Sequence, residues 1–543
     1  MLDVLLKGHD YKYEVAELIK MFTHDLNFID SVEEDKIENI TNDKKQENIQ
    51  ENIQENRSLM INSLSLEGDT LSSEVKCYRD GKVIFEHKER NSLEIYTKLN
   101  FDQVDLEDGN LIKDIFKSLS KEDQMIAKKS CKETVKRSFY VVLKKLYDAY
   151  VPWGILTGIR PVKVVHNLLS EGFSEPQIRE NLKENYFISE DKIDLCLNIA
   201  KKERNFIYPI DEKKISLYVS IPFCPTRCLY CSFPSNSLAD FGHLKSVYVD
   251  KLIEEVKAVS ILIKNTDKEI ETLYIGGGTP TTLSAEEMDK LINALFSELD
   301  LSKILEFTVE AGRPDTITRE KLEVLKKHNV SRISINPQTM NDDTLVKIGR
   351  EHKVEEIREC FYMARKMGFD NINMDIILGL IDEDLEMVRN TLEEIKKLSP
   401  ESLTVHTMAI KRASNLKINM DKYKDKLTHD KEVIKMIDLS MKYAYEMGLS
   451  PYYMYRQKHM VGNLENIGYA KVGYECIYNI QVMEEKQSNY ALGAGSISKF
   501  VYNDENRIER VENVKNVEHY IDRVEEMTHR KEKEVHKNAN KSS

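Results

Sequence analysis

The sequence predicts an α/β protein built on a partial (β/α)6 barrel of the TIM type, with an α+β N-terminal domain and a helix-rich C-terminal domain. Three observations carry that prediction. Between Ile215 and Met408 an apolar strand, a glycine or polar turn and a helical run recur six times, the pattern of a parallel βαβ sheet. The strands are apolar enough to be covered on both faces. A closed eight-unit barrel takes ~250 residues and six units ~190, close to the stretch available.

The elements follow in order. Residues 1 to 30 read as a strand and an amphipathic helix, YEVAELIKMFTHDL. From about 31 to 62 the chain is rich in Glu, Asn, Lys and Gln, with the tandem ENIQENIQEN, and reads as a disordered, solvated insertion. EVKCY and KVIFEH flank Arg79-Asp80-Gly81 as a β-hairpin. The helix KETVKRSFYVVLKKLYDAY leads to the single tryptophan, in PWGILTGIRP, where it lines a cleft or anchors packing. Domain boundaries are expected at 1–150, 151–210 (helical connector), 211–410 (barrel), 411–525 (a domain covering the substrate) and 526–543, a charged tail read as disordered.

The barrel strands are ISLYVSIP (215 to 222), ETLYIGG (271 to 277), LEFTVEA (305 to 311), SRISINP (331 to 337), NINMDIILG (371 to 379) and SLTVHTM (402 to 408). A doubly wound open sheet fits the same alternation. Either way, chemistry belongs at the C-terminal strand ends and the loops after them.

Composition narrows the function. The 543 residues are 41% hydrophobic and 31% charged, enough for two or three domains with real cores. The net charge of −13 repels phosphate backbones, so nucleic acid is not an expected partner. No apolar run approaches the ~18 residues that span a bilayer. Eight cysteines in so long a chain do not make a disulfide scaffold, and a reducing cytoplasm is expected.

IPFCPTRCLYCSF places Cys224, Cys228 and Cys231 in the loop after the first strand, spaced C-x3-C-x2-C. A structural zinc site wants four ligands, usually as two pairs, and no second pair occurs. Three thiolates on a short loop suit a [4Fe–4S] cluster with one iron left open, which can chelate the amino and carboxylate groups of S-adenosylmethionine (SAM). The plain alternative is three buried thiols. Cys77, Cys131, Cys196, Cys360 and Cys476 stand alone and read as small core side chains. Gly276-Gly277-Gly278-Thr279-Pro280, after the second strand, lets backbone approach a ligand closely.

These two elements resemble the radical SAM superfamily. LYVSIPFC with Tyr218, TVEAGRPDTI with Glu310, SINPQTM with Gln338, IGREH with Arg350, NMDIILGL with Asp375 and ALGAGSIS narrow the resemblance. They are similar to the oxygen-independent coproporphyrinogen III dehydrogenase family in its longer Firmicute-type branch, over roughly residues 150 to 500. The resemblance implies that Tyr218, Gly276, Gly277, Gly278, Thr279, Glu310, Gln338, Arg350 and Asp375 contact SAM. Glu310 and Asp375 lie in apolar strands, where an unpaired charge is costly. Alone, Arg350 reads as a solvated helix residue and Tyr218 equally as a core aromatic. Two positions depart from the best-known members: Phe233 stands where they carry a further cysteine and Ser220 where they carry a histidine. These bear on the substrate more than on the radical chemistry.

The implied activity is that of a radical SAM oxidoreductase in haem (porphyrin) biosynthesis. A 5′-deoxyadenosyl radical takes a β-hydrogen from a propionate, and loss of CO2 and one electron leaves a vinyl group. Twice over, this converts coproporphyrinogen III to protoporphyrinogen IX, with a flavodoxin- or ferredoxin-type electron donor and a separate acceptor. A monomer is expected. The substrate's four carboxylates call for cations at the barrel mouth, and Lys411, Arg412, Arg456 and Lys458 are the candidates. The alternatives are a radical SAM enzyme acting on another substrate, or a haem chaperone. A sister branch of chaperones is marked by HNxxYW, where this chain has HMVGNLENIGY.

Overall fold

In the computed structural model the described residues are 1–31, 57–99, 112–158, 160–233, 236–457 and 464–542. They form two compact units, Met1–Gly158 with Leu168–Asp194 and Ile159–Asn167 with Leu195–Ser543. The residues expected as a connector, 151–210, divide between the two units: the middle helix, Glu175–Tyr186, belongs to the smaller unit, while most of the helices before and after it, Val162–Ser170 and Glu190–Ile207, belong to the larger.

The smaller unit carries a five-stranded sheet of β1 (Leu2–Lys7), β2 (Leu26–Phe28), β3 (Ser58–Glu67), β4 (Thr70–Arg79) and β5 (Lys82–Ser92), in the order β2-β1-β3-β4-β5. The expected hairpin is β4–β5. Asp80 and Gly81 at its tip both have positive φ, 50° and 72°, which matches the twist of paired strands. Helix Lys121–Tyr147 buries Ala127, Cys131, Val135, Phe139 and Val142, its core-facing stripe. Trp153 is buried. Of the expected insertion, 32–56 lie outside the described residues. Ser58 to Asn62 are ordered in β3, since Ser58 pairs with Leu2 of β1 and the buried Asn62 bonds His9 and Ser73.

The larger unit is organised by β6 (Lys214–Ile221), β9 (Glu269–Gly277), β10 (Glu306–Gly312), β11 (Arg332–Ile335), β12 (Ile372–Leu378) and β13 (Ser402–Thr407), all parallel and neighbouring in chain order. These are the six predicted strands. A doubly wound sheet would reverse its order at a switch point; this one does not, and the (β/α)6 arrangement stands. Two short strands, β7 (Phe223–Cys224) and β8 (Asn236–Ser237), pair across the loop after β6.

The segment after residue 411 holds helices but also extends the sheet at both edges. On one side β14 (Ser450–Tyr455) and β15 (Asn466–Ala470) add antiparallel to β13. On the other, β16 (Ser488–Leu492) runs parallel to β6 and is followed by β17 (Ile497–Tyr502) and β18 (Arg507–Glu512). The expected disordered tail at 526–543 is instead corrected to a helix, Val524–Ser542. It is held by Lys531, fully buried, whose Nζ donates to Glu255 Oε1 at 2.7 Å and Asn513 Oδ1 at 2.7 Å. Glu255 Oε2 accepts in turn from Tyr520 (2.6 Å) and the Gly493 N–H (2.8 Å). Among the described residues no helix is long and apolar enough to cross a membrane.

Candidate active site at the C-terminal end of the barrel

The cysteine loop leaves β6 and is braced by the segments that follow four other strands. After β9, the N–H groups of Gly278 and Thr279 donate to Ile221 and Phe223 carbonyls at 2.8 Å each. After β10, Arg313 Nη1 reaches Thr226 Oγ1 at 2.7 Å. After β11, Ile348 accepts from the Leu229 N–H (3.0 Å) and Gly349 from Thr226 Oγ1 (2.9 Å). After β13, Ala413 accepts from Arg227 (2.6 Å). A loop so anchored presents its cysteines in a fixed arrangement.

Cys224, Cys228 and Cys231 line one cavity of about 610 Å³. Burial pushes the Cys224 thiol up to about 11 and raises Cys231, so both await a metal to hold them as thiolates. Three cysteines lining one cavity, with no fourth cysteine in its wall, fit a [4Fe–4S] cluster with one iron open to a ligand.

The glycine turn lies flush against this loop. A β-carbon on Gly278 would meet the Phe223 carbonyl oxygen at 2.5 Å and Cys224 Sγ at 2.9 Å; Gly277 has φ +114°. Gly277, Gly278 and Thr279 line the cavity, and Thr279 Oγ1 sits 3.6 Å from Cys224 Sγ. Gly276 lies beneath, where a β-carbon would meet Tyr274 and Glu310.

The barrel interior supplies the other wall. Glu310 stands at a bulge where β10 shifts register against β11, a common way of re-aiming a side chain. Burial pushes its carboxyl up to about 7, although Tyr274 donates to it at 2.5 Å. Asp375 takes the opposite sign. Burial acts to raise it, but His406, Asn373 and Thr404 hold it below the ordinary carboxylate range. Gln338 has φ +68°, a strained value for a non-glycine residue, and its buried Oε1 has no hydrogen-bond partner. Arg350 is buried, donates to the Asn336 carbonyl (2.6 Å) and faces Tyr230 and Cys228. Tyr218 stacks on Tyr274 and Tyr478, centroids 6.0 Å away in each case.

Of the expected substrate-facing cations, Lys411 lines the cavity, and burial lowers its pKa. Arg412 is exposed and outside the lining. Arg456 is not at the mouth: it follows β14 into the interior and is only 2% exposed, its guanidinium pushed by burial down to about 10. Lys458 lies outside the described residues. The sequence reading missed Tyr274, His406, Arg332, Tyr453 and Tyr455, all of which line the cavity. A signal existed for two of them. Tyr274 alternates with Gly276 on β9, and His406 with Thr404 on β13, so each shares the inward face of its strand.

The chain is similar to several known proteins. The model of the radical SAM superfamily matches residues 218–395. The oxygen-independent coproporphyrinogen-III oxidase-like protein HemZ of Bacillus subtilis (strain 168) is 42% identical over 406 residues, 74% of this chain and 81% of that one. The heme chaperone HemW of the same organism is 31% identical over 312 residues, 57% of this chain and 76% of that one. Among solved structures, coproporphyrinogen III oxidase HemN of Escherichia coli superposes with a TM-score of 0.48 at 22% identity, covering 60% of this chain and 72% of that one.

Proposed function

This chain belongs to the radical SAM superfamily, in the branch of the oxygen-independent coproporphyrinogen-III oxidase-like proteins, and we propose that it oxidatively decarboxylates coproporphyrinogen III to protoporphyrinogen IX. The observation that carries the reading is the convergence of three cysteines and a polar barrel interior on one cavity, in a chain 42% identical to HemZ. When bound, the reduced cluster and SAM together supply a 5′-deoxyadenosyl radical able to take hydrogen from an unactivated C–H bond.

The protein's own part is binding, orientation and exclusion of water. Cys224, Cys228 and Cys231 hold the cluster. Glu310 as carboxylate would accept from the N–H groups of the SAM amino nitrogen, with Gly277 and Gly278 allowing close backbone approach. Asp375, kept ionised by His406 and Asn373, accepts from the ribose hydroxyls, and the free Gln338 Oε1 takes a further donor. Arg350 and Tyr218 close the SAM side. Lys411, which lines the cavity, would meet a propionate carboxylate. At each propionate the proposed reaction would remove one hydrogen atom and CO2 and pass one electron to an external acceptor, leaving a vinyl group. A flavodoxin- or ferredoxin-type protein is the proposed donor.

A second reading, haem binding and transfer, is favoured by the 31% identity to HemW. Anaerobic turnover separates them. The reconstituted, reduced protein with SAM and coproporphyrinogen III should yield 5′-deoxyadenosine and a product lighter by two formic acid units, read by mass spectrometry. 5′-Deoxyadenosine without decarboxylation would leave the radical chemistry and reject the substrate. Stoichiometric haem binding without either product would establish the second reading.

A further inference from the structure

Away from the cysteine cavity, the larger unit encloses a second set of metal-ligating side chains: His166, Glu203 and Glu484. They come from three helices far apart in the chain, and they are 3%, 0% and 3% exposed. His166 Nε2 lies 2.8 Å from Glu203 Oε2 and 3.7 Å from Glu484 Oε2, and the three ligand atoms all fall within 4.8 Å of one another. A divalent ion with bonds of ~2.0–2.2 Å spaces its ligand atoms roughly 2.9–3.6 Å apart, so small adjustments convert this cluster into a coordination shell.

Two further observations point to a ligand. Glu203 Oε1, Glu484 Oε1 and His166 Nδ1 are all buried without a hydrogen-bond partner, whereas nearly all buried polar atoms in folded proteins have one. Among the described residues, neither Glu203 nor Glu484 forms an ion pair with a lysine or arginine. The nearby Arg160 is engaged by Glu485 at 2.6 Å, and the Arg204 guanidinium lies over the Tyr208 ring at 4.2 Å. Lys163 and Lys486 also face the region without pairing to either carboxylate. Arg160, Lys163, Lys486 and Arg204 act on the cluster from a distance, yet none of them pairs with Glu203 or Glu484, and the three inward ligand atoms stay without a hydrogen-bond partner.

We propose that His166, Glu203 and Glu484 bind a divalent first-row metal ion, separate from the iron–sulfur site and coordinated by one nitrogen and carboxylate oxygens. That donor set suits zinc, manganese or ferrous iron. The ion neutralises both carboxylates and ties the C-terminal end of helix Ile477–Glu484 to the two other helices. Asn479 and Met483 of that helix line the cysteine cavity, so the metal braces one wall of the active site.

The test uses zinc as the probe. Full-length protein with its cluster reconstituted is equilibrated with zinc, passed through gel filtration and analysed for zinc and iron together. One zinc per chain beyond the cluster iron is expected, with Glu203→Gln and Glu484→Gln weakening zinc affinity roughly tenfold or more while cluster iron is unchanged. Zinc absent from the wild-type protein, or retained equally by both variants, overturns the proposal. Should the variants not fold, cobalt added to the Cys224→Ser, Cys228→Ser, Cys231→Ser protein decides. A d–d spectrum lacking thiolate charge transfer supports the site, and no bound cobalt overturns it.

Discussion

The backbone N–H of Gln338 donates to the carbonyl oxygen of Asp375 at 2.9 Å, and the Gln338 carbonyl accepts from the Ile377 N–H at 2.9 Å. Gln338 is thereby stitched to the edge of β12 in a left-handed conformation, beside the carboxylate with which it is proposed to share SAM. Strain at such a position persists because its surroundings enforce it.

Replacing Gln338 by glycine should therefore separate stability from binding. Relief of the positive φ offsets glycine's added backbone entropy, leaving unfolding free energy within about 1 kcal/mol of wild type. SAM affinity should fall about tenfold through loss of the Oε1 acceptor. Denaturant unfolding and equilibrium dialysis with SAM read the two quantities independently.

Glu310 gives a pH signature. Its carboxyl is pushed from 4.5 up to about 7 by burial, so the SAM-free fold favours the neutral form. Its contribution to stability is complete below about 4.5 and is lost as pH rises through about 7. SAM binding runs the other way, strengthening as pH rises through 7, because the N–H donors of its amino group and its sulfonium charge both favour the carboxylate over the neutral acid. Glu310→Gln should flatten both profiles; a SAM affinity in the variant that still climbs with pH would place the titrating group elsewhere.

Gly278→Ala tests the fit between the glycine turn and the cysteine loop. The new methyl meets the Phe223 carbonyl oxygen at 2.5 Å and Cys224 Sγ at 2.9 Å, neither of them the end of a flexible chain. A destabilisation of ~1–3 kcal/mol is expected, along with lower iron content after reconstitution. Iron analysis and the cluster's visible absorbance check the second part.

Lys531→Met should destabilise the protein by ~3–5 kcal/mol, since it leaves Glu255 buried and charged without its cation. Truncation before Val524 should do at least as much. The double variant Lys531→Met, Glu255→Gln should recover part of the loss, as thermal unfolding would report.

The six parallel strands were legible because each is a short apolar run closed by a turn, and the cysteine and glycine motifs because their spacing is local. What escaped depended on partners distant in the chain. Nothing in SNYAL announces that β16 pairs with β6, or in THRKEKEVHK that Lys531 meets Glu255 on another helix. Arg456 was misplaced for the same reason: a basic residue beside tyrosines reads as a mouth cation until β14 is seen to carry it inward. His166, Glu203 and Glu484 lie on unrelated helices, and no pattern along the chain joins them.

The pairing of β16 with β6 sets a timetable for biogenesis. Leu217 leaves the ribosome long before its neighbour Tyr490 is made, and at typical elongation rates the outer edge of the cysteine-bearing strand waits roughly 15–50 s for its cover. Throughout that interval the three thiols are already translated while the sheet beside them is open. Iron and sulfide delivered before β16 joins β6 would meet an incomplete scaffold.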